Sequence, residues 1–179
     1  MLLENAGIPH ECVSPAVNEK QIIEKLSEEG PQRLVEELSR TKALSVKEAL
    51  RDSDIIVIGA DTVVTLDGII FGKPKDRDDA RGMIRSLQGR SHDVFTGVSV
   101  LFEKESITFH VKSEVTVYEM SDEEIEDYLD TKEPYDKAGA YGIQGYFSRF
   151  IERIEGSYDN IVGLPVAKTY RALLKAGAF

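Results

Sequence analysis

One acid and one hydroxyl, Asp61 and Thr62, follow an apolar run in the middle of this chain. The run, residues 55–58, consists of β-branched residues and predicts a strand buried on both faces. It ends at Gly59-Ala60, whose small side chains allow a close approach to the backbone. Because open α/β sheets bind ligands just beyond their strand ends, Asp61 could hold Mg²⁺ or take a proton from an attacking water. The alternative is that Asp61 caps a local turn.

A lysine is expected to return towards this acid. Residues 63–66, the turn Asp67-Gly68 and residues 69–71 have the pattern of a two-residue hairpin. Such a hairpin would bring Gly72-Lys73-Pro74 back to the point where the buried strand ends. Lys73 alone could be a solvated surface charge, but its glycine and proline neighbours indicate a fixed backbone. A carboxylate faced by a lysine suggests phosphate chemistry around a metal ion.

Two further segments carry candidate ligand groups. Lys42 lies four residues after Leu38, on an otherwise apolar helix stripe, and either snorkels to solvent or points into a polar cleft. Residues 135–145 place small residues between two tyrosines, so backbone N–H groups could crowd a ligand. Gln144 in this segment has a donor and an acceptor, which suits it to read a base edge. The alternative is a mobile surface loop.

The elements that must position these groups are a mixture of helices and strands. Strands are expected at residues 10–13, 55–58, 63–66, 69–71, 92–102, 107–118 and 147–154. Helices are expected to end near Gly7, to follow Asn18, to run from Pro31 to about Leu50, to follow Asp76, to run from Ser121 to Leu129, and to close the chain from Pro165 to Lys175. The composition of residues 133–145 indicates a loop. This mixture predicts an α/β fold with a mixed sheet.

Bulk properties exclude several classes of protein. The 179 residues fit one domain, or two small lobes that share a sheet. A net charge of −10 argues against binding to duplex nucleic acid or to an anionic membrane, although a nucleotide substrate stays possible. No stretch approaches the ~20 apolar residues of a membrane span, and the opening residues lack a signal peptide. With one cysteine, Cys12, and no disulfide possible within the chain, we expect a cytoplasmic protein.

Four motifs, taken in order, resemble the Maf family across essentially the whole chain. They are Gly59-Ala60-Asp61-Thr62-Val63-Val64, Gly72-Lys73-Pro74, the run from Asp136 to Gly145, and Gly156-Ser157-Tyr158 through Val162-Gly163-Leu164-Pro165. The resemblance implies an enzyme that hydrolyses a nucleoside triphosphate to the monophosphate and pyrophosphate with Mg²⁺ or Mn²⁺. It also implies a single Maf-like domain over residues 1–179, an elongated two-lobed α/β body similar to inosine-triphosphate pyrophosphatases, and a homodimer.

The resemblance also implies roles for individual residues. Asp61 matches the proton acceptor of the family, and Lys42 and Lys73 match its lysines on the phosphate side. Glu19 stands where an acidic partner of Asp61 in metal binding is expected. These roles come from the likeness to the family and not from spacing.

Base choice is implied for two further positions, Thr62 and Gln144. The Ala-Asp-Thr and Ile-Gln-Gly forms resemble the branch that acts on dTTP and UTP. The family normally opens with a strand and a Ser-x-Ser-Pro-Arg loop, whereas this chain starts within what looks like the last turns of a helix. We therefore expect the first strand and one phosphate clamp to be missing. The rival function is a nucleotide-binding regulator of cell division or septation without useful catalysis.

Overall fold

The computed structural model describes residues 2–51 and 54–179, apart from the side chain of Ser27. Its α-helices are α1 (Leu2–Asn5), α2 (Glu19–Leu26), α3 (Pro31–Leu50), α4 (Arg77–Leu87), α5 (Asp122–Leu129), α6 (Tyr158–Val162) and α7 (Val166–Lys175). Its strands are β1 (Val57–Leu66), β2 (Ile69–Phe71), β3 (Ser91–Phe102), β4 (Glu105–Val117) and β5 (Ile151–Glu155). Short 3₁₀ helices span Ser27–Glu29, Glu133–Asp136, Ala138–Ala140 and Tyr146–Phe150. Among the residues described, no helix combines the length and apolar character that crossing a bilayer requires.

In the described part of the chain, five strands form one sheet in the order β2-β1-β3-β4-β5. The α/β class is therefore confirmed, as is the hairpin at Asp67-Gly68, where Leu66 pairs with Ile69 and both turn residues have positive φ. The sheet is antiparallel, and this corrects the expectation of a mixed sheet. The reason is connectivity, because two-residue turns join β1 to β2 and β3 to β4, and such turns join only antiparallel neighbours.

The chain divides into two compact units. The first unit contains the described residues up to Asp61, together with Thr96–Val111 and Gly163–Phe179. One cluster of its core joins α3 to the sheet through Ala43, Val57 and Leu101. The other joins α7 to the sheet through Val98, Val100, Ala172 and Leu173. Because side chains alternate between the two faces of a strand, these clusters place α3 and α7 on opposite faces of the sheet.

The second unit contains Thr62–Phe95 and Lys112–Val162. Helices α4 and α5 pack against its strands around a core of Val64, Leu66, Ile84, Leu87, Val94, Val115, Val117, Tyr128, Leu129 and Phe147. Ala140, Tyr141 and Ile143 are also buried. Residues 133–145 contain short 3₁₀ helices and no α-helix or strand, in agreement with the predicted loop. The alternative of a mobile surface loop was wrong, because buried apolar side chains fix the segment to the core.

Helix boundaries were predicted better than strand boundaries. Helix α3 fills the predicted range, and Ser121 with Glu124 forms the capping box that opens α5. No strand forms at residues 10–13, where every residue is exposed and no apolar face is available to bury. The strand expected from residue 147 begins only at Ile151, because Tyr146–Phe150 forms a 3₁₀ helix.

Candidate active site

Asp61 lies inside a strand and not beyond its end. Strand β1 continues from Val57 to Leu66, so Asp61 is its fifth residue, and the expectation of a carboxylate at the mouth of the sheet was wrong. The small pair before Asp61 does not end the strand, because the β-prone residues 62–66 extend it into the hairpin with β2. The side chain of Asp61 is 12% exposed, which makes it a largely buried carboxylate.

Helix α3 lies directly against the backbone of β1 at Gly59. A Cβ atom at this position would come within 2.2 Å of the Ser39 carbonyl oxygen and 2.9 Å of the Ala43 Cβ. The buried hydroxyl of Ser39 also bonds Ser99 Oγ on β3 at 3.1 Å. The helix is therefore held against the sheet at Ser39, about one turn before Lys42, with no side chain between it and β1.

Lys42 reaches the strand carboxylate from this helix. Its Nζ lies 2.5 Å from Asp61 Oδ1 and 3.0 Å from Glu19 Oε1. Burial lowers the pKa of Lys42, but the charges and hydrogen bonds of Asp61 and Glu19 outweigh burial and raise the pKa above its ordinary value. Of the two readings left open by the sequence, the structure supports the polar one. Lys42 is a charged lysine bound between two carboxylates.

The carboxylates of Asp61 and Glu19 are also the oxygen ligands that a hard divalent cation prefers. Mg²⁺ is typically bound by one or two protein carboxylates, with water and substrate phosphates completing its octahedron. In the part of the chain that is described, no group of three or more His, Cys, Asp or Glu residues is arranged to hold a metal alone. The donor set therefore fits a cation that is shared with a phosphorylated substrate.

Lys73 lies in the second unit, in the segment that follows β2. Its side chain is exposed, while Pro74 after it is buried. The backbone N–H of Gly139 donates to the Gly72 carbonyl at 3.0 Å. The pKa of Asp136 is lowered first by its hydrogen bond to Lys137 and to a smaller degree by the charge of Lys73. The fixed backbone predicted around Lys73 is thus confirmed, and Lys73 lies near the start of the glycine-rich segment.

The two residues expected to choose the base are also in the second unit. Gln144 is exposed on the segment between Ile143 and Gly145. Thr62 is half-buried in β1 and points to the face of the strand opposite to that of Asp61. The structure brings Lys42, Asp61 and Glu19 together. The participation of Lys73, Thr62 and Gln144 in the same site stays a prediction.

Sequence reasoning missed the role of Glu133. Its Oε2 accepts a hydrogen bond from the backbone N–H of Tyr146 at 2.7 Å, and Gly145 lies against the same carboxylate. The contact spans 13 residues and has no local pattern that would reveal it. The sequence offered one indication, the glycines Gly142 and Gly145 on either side of Gln144. Two glycines so close together indicate that another group occupies the space where their side chains would be.

Sequence analysis also did not identify His92 as a buried residue. His92 Nε2 and the Tyr141 hydroxyl form a hydrogen bond of 2.7 Å, and both residues are buried. Burial lowers the pKa of His92 to about 4, against a smaller opposing effect of Asp93, and burial raises the pKa of Tyr141. His92 is therefore a neutral core residue at pH 7.

Comparison with known proteins gives a consistent result. Residues 1–176 match the family described as Maf-like protein. A protein of Bacillus cereus strain ATCC 14579 named dTTP/UTP pyrophosphatase is 44% identical over 172 residues, which cover 96% of this chain and 87% of the relative. A protein of the same name from Bacillus cytotoxicus is 45% identical over 172 residues, with the same two coverages.

Proposed function

Because the chain belongs to the Maf-like family, as the match over residues 1–176 and relatives at 44% identity show, we propose that it is a nucleoside triphosphate pyrophosphatase that acts on dTTP and UTP. The reaction yields the monophosphate and pyrophosphate. The observation that carries the proposal is the contact of Lys42 with the buried Asp61 at 2.5 Å. The names of the relatives support the choice of thymine and uracil nucleotides.

In this mechanism a water molecule attacks the α-phosphorus of the triphosphate. The oxygen of the water forms a bond to that phosphorus, and the bond from the phosphorus to the bridging oxygen of the pyrophosphate breaks. Asp61 takes the proton of the water. Lys42 and Lys73 stabilise the negative charge that grows on the phosphate oxygens. A divalent cation, Mg²⁺ or Mn²⁺, would be held by Asp61 and Glu19 and would polarise the phosphate oxygens.

Pyrophosphate release from a panel of triphosphates tests the proposal. Purified protein is incubated with dTTP, UTP, CTP, dATP and GTP, with Mg²⁺, with Mn²⁺ and with a chelator. We expect release from dTTP and UTP with a cation and a loss of at least a hundredfold with the chelator. Nucleotide binding without release would favour the non-catalytic regulator instead. The homodimer and the cytoplasmic location are part of the proposal, and light scattering on the purified protein checks the dimer.

A further inference from the structure

Glu133 binds the backbone of the segment that carries Gln144. The N–H of Tyr146 donates to Glu133 Oε2 at 2.7 Å, and the N–H of Phe147 approaches Oε1 at 3.4 Å. These are N–H groups of the first turn of the 3₁₀ helix Tyr146–Phe150, which has no capping bond from the side chain of its own N-cap. The first N–H groups of a helix lack partners within the helix. A carboxylate from 13 residues away supplies one here.

The same carboxylate fills the space beneath the turn around Gln144. A Cβ atom at Gly145 would lie 1.9 Å from Glu133 Oε2, and one at Gly142 would lie 3.6 Å from Oε1. An alanine at position 145 would therefore displace the Glu133 carboxylate from its place. The residues on both sides of Ile143-Gln144 rest against one charged group.

Glu133 is itself held by its surroundings. It begins the 3₁₀ helix Glu133–Asp136, and its N–H donates to Thr131 Oγ1 at 3.3 Å. The hydroxyl of the buried Tyr128 donates to Ala140 O at 3.1 Å and approaches Glu133 Oε1 at 3.4 Å. The pKa of Tyr128 is raised, first by burial and then by the charge of Glu133. The carboxylate thus links the Gln144 turn to the core of the second unit.

We propose that Glu133 is a positioning residue for base selection, which acts by fixing the turn from which Gln144 projects. The inference rests on the proposed function. A glutamine amide has one acceptor and two donors, so it can accept from N3–H and donate to O4 of uracil or thymine. Cytosine presents the reverse pattern at these two positions, and the amide pairs with it only after a half-turn about its terminal C–C bond. A fixed turn keeps the groups around the amide in place and so holds one orientation of the amide, which favours uracil and thymine over cytosine.

The test compares UTP with CTP in four proteins: wild type, Glu133→Ala, Glu133→Gln and the exposed control Glu123→Ala. For Glu133→Ala we expect at least a tenfold rise in KM for UTP, a change in kcat below threefold, and at least a tenfold loss in the UTP-over-CTP ratio of kcat/KM. Glu133→Gln retains one acceptor oxygen for Tyr146 N–H and should keep most of the selectivity. Glu123→Ala should match the wild type.

A second variant, at Gly145, tests the same contact by changing the turn instead of Glu133. Gly145→Ala should displace the Glu133 carboxylate and reproduce the loss of selectivity, and it should add less than twofold in a Glu133→Ala background. It also carries the test if Glu133→Ala does not fold, as judged by circular dichroism.

The outcomes separate the two claims. A wild type that releases no pyrophosphate from any triphosphate refutes the proposed function. An active wild type whose selectivity is unchanged in folded Glu133→Ala or Gly145→Ala refutes the positioning role alone. An equal loss of kcat/KM on UTP and CTP also refutes it, because a general structural role predicts that result.

Discussion

The ammonium of Lys42 lies 2.5 Å from a carboxylate oxygen of Asp61, and the two side chains are only 19% and 12% exposed. Helix α3 supplies the lysine and strand β1 supplies the acid, so the contact depends on how closely the helix packs against the sheet. The second contact of Lys42, with Glu19 at 3.0 Å, leaves one ammonium between two acids. The same two acids raise the pKa of Lys42, so the lysine is charged between them.

Replacement of Asp61 by Asn should nearly abolish catalysis. The amide has almost the same shape as the carboxylate but cannot take a proton from water, so we expect kcat for dTTP to fall by about 10³ or more. The rate of pyrophosphate release at a saturating concentration of dTTP measures kcat. The control is Asp67→Asn in the turn after β1, where the exposed carboxylate forms an ion pair with Arg90 at 2.7 Å. Activity near that of the wild type in Asp61→Asn would exclude the role given to this acid.

Lys73 and Lys75 offer a matched pair of lysines. Both are exposed and lie on either side of the buried Pro74. If Lys73 stabilises charge on the phosphates, Lys73→Gln should lower kcat/KM by about 10²–10³, while Lys75→Gln should change it less than threefold. Initial rates over a range of UTP concentrations give both values. Equal effects of the two substitutions on kcat/KM would show that Lys73 is an ordinary surface lysine with no role in catalysis.

A methyl group at Gly59 should separate helix α3 from the sheet. The new Cβ would meet the Ser39 carbonyl at 2.2 Å, a backbone atom that cannot rotate away. We expect Gly59→Ala to lower the free energy of unfolding by about 3 kcal/mol and to lower activity with it, because Lys42 moves with the helix. Urea unfolding and pyrophosphate release measure the two effects.

The control for this substitution is Gly82→Ala in helix α4. Nothing lies within 4 Å of a Cβ at Gly82. Because alanine favours a helix interior over glycine, this variant should gain about 0.5–1 kcal/mol. A Gly59→Ala protein as stable as the wild type would contradict the close contact between α3 and β1.

His92 should make the stability of the protein fall in acid. Burial lowers its pKa in the folded state to about 4, whereas an unfolded histidine titrates near 6.5. Between these two pH values the unfolded chain holds a proton at His92 that the folded chain does not. The contribution is therefore complete above pH 6.5 and is lost as the pH falls to about 4, at a total of about 3 kcal/mol.

The measurement for His92 is urea unfolding at pH 7.5 and 4.5 in the wild type and in His92→Gln. Glutamine does not titrate, so the variant should lose about 2.5 kcal/mol less between the two pH values than the wild type does. Other titrating groups contribute equally to both proteins. The same pH dependence in both would show that His92 is protonated as easily in the fold as outside it.

Local patterns predicted most of the elements. The turn residues Asp67-Gly68 and the capping box of Ser121 with Glu124 act within a few positions, and the structure confirms both. The end of the first strand was misplaced at Ile58, because Gly59 resembles a strand end from the sequence alone. In the fold its missing side chain makes room for α3. A contact of that kind depends on tertiary packing and has no local signature.

The candidate site was predicted in part for the same reason. The sequence and the family resemblance together named Asp61, Lys42 and Glu19, and the structure brings them together. The sequence could not decide whether Lys42 snorkels, because that depends on which strand lies beneath the helix. It missed Glu133, whose partner Tyr146 lies 13 residues away across a bend in the chain.

Main-chain atoms of Ser39 and Ala43, together with the Cβ of Ala43, set the clearance between helix α3 and strand β1 at Gly59. Substitutions that exchange one apolar side chain for another elsewhere in the core, as happens during evolutionary drift, therefore leave that clearance unchanged. The distance between Lys42 and Asp61 should therefore not change with such substitutions. Homologues whose cores have diverged widely should keep the same separation between these two groups, provided that the residue beneath the helix remains without a side chain.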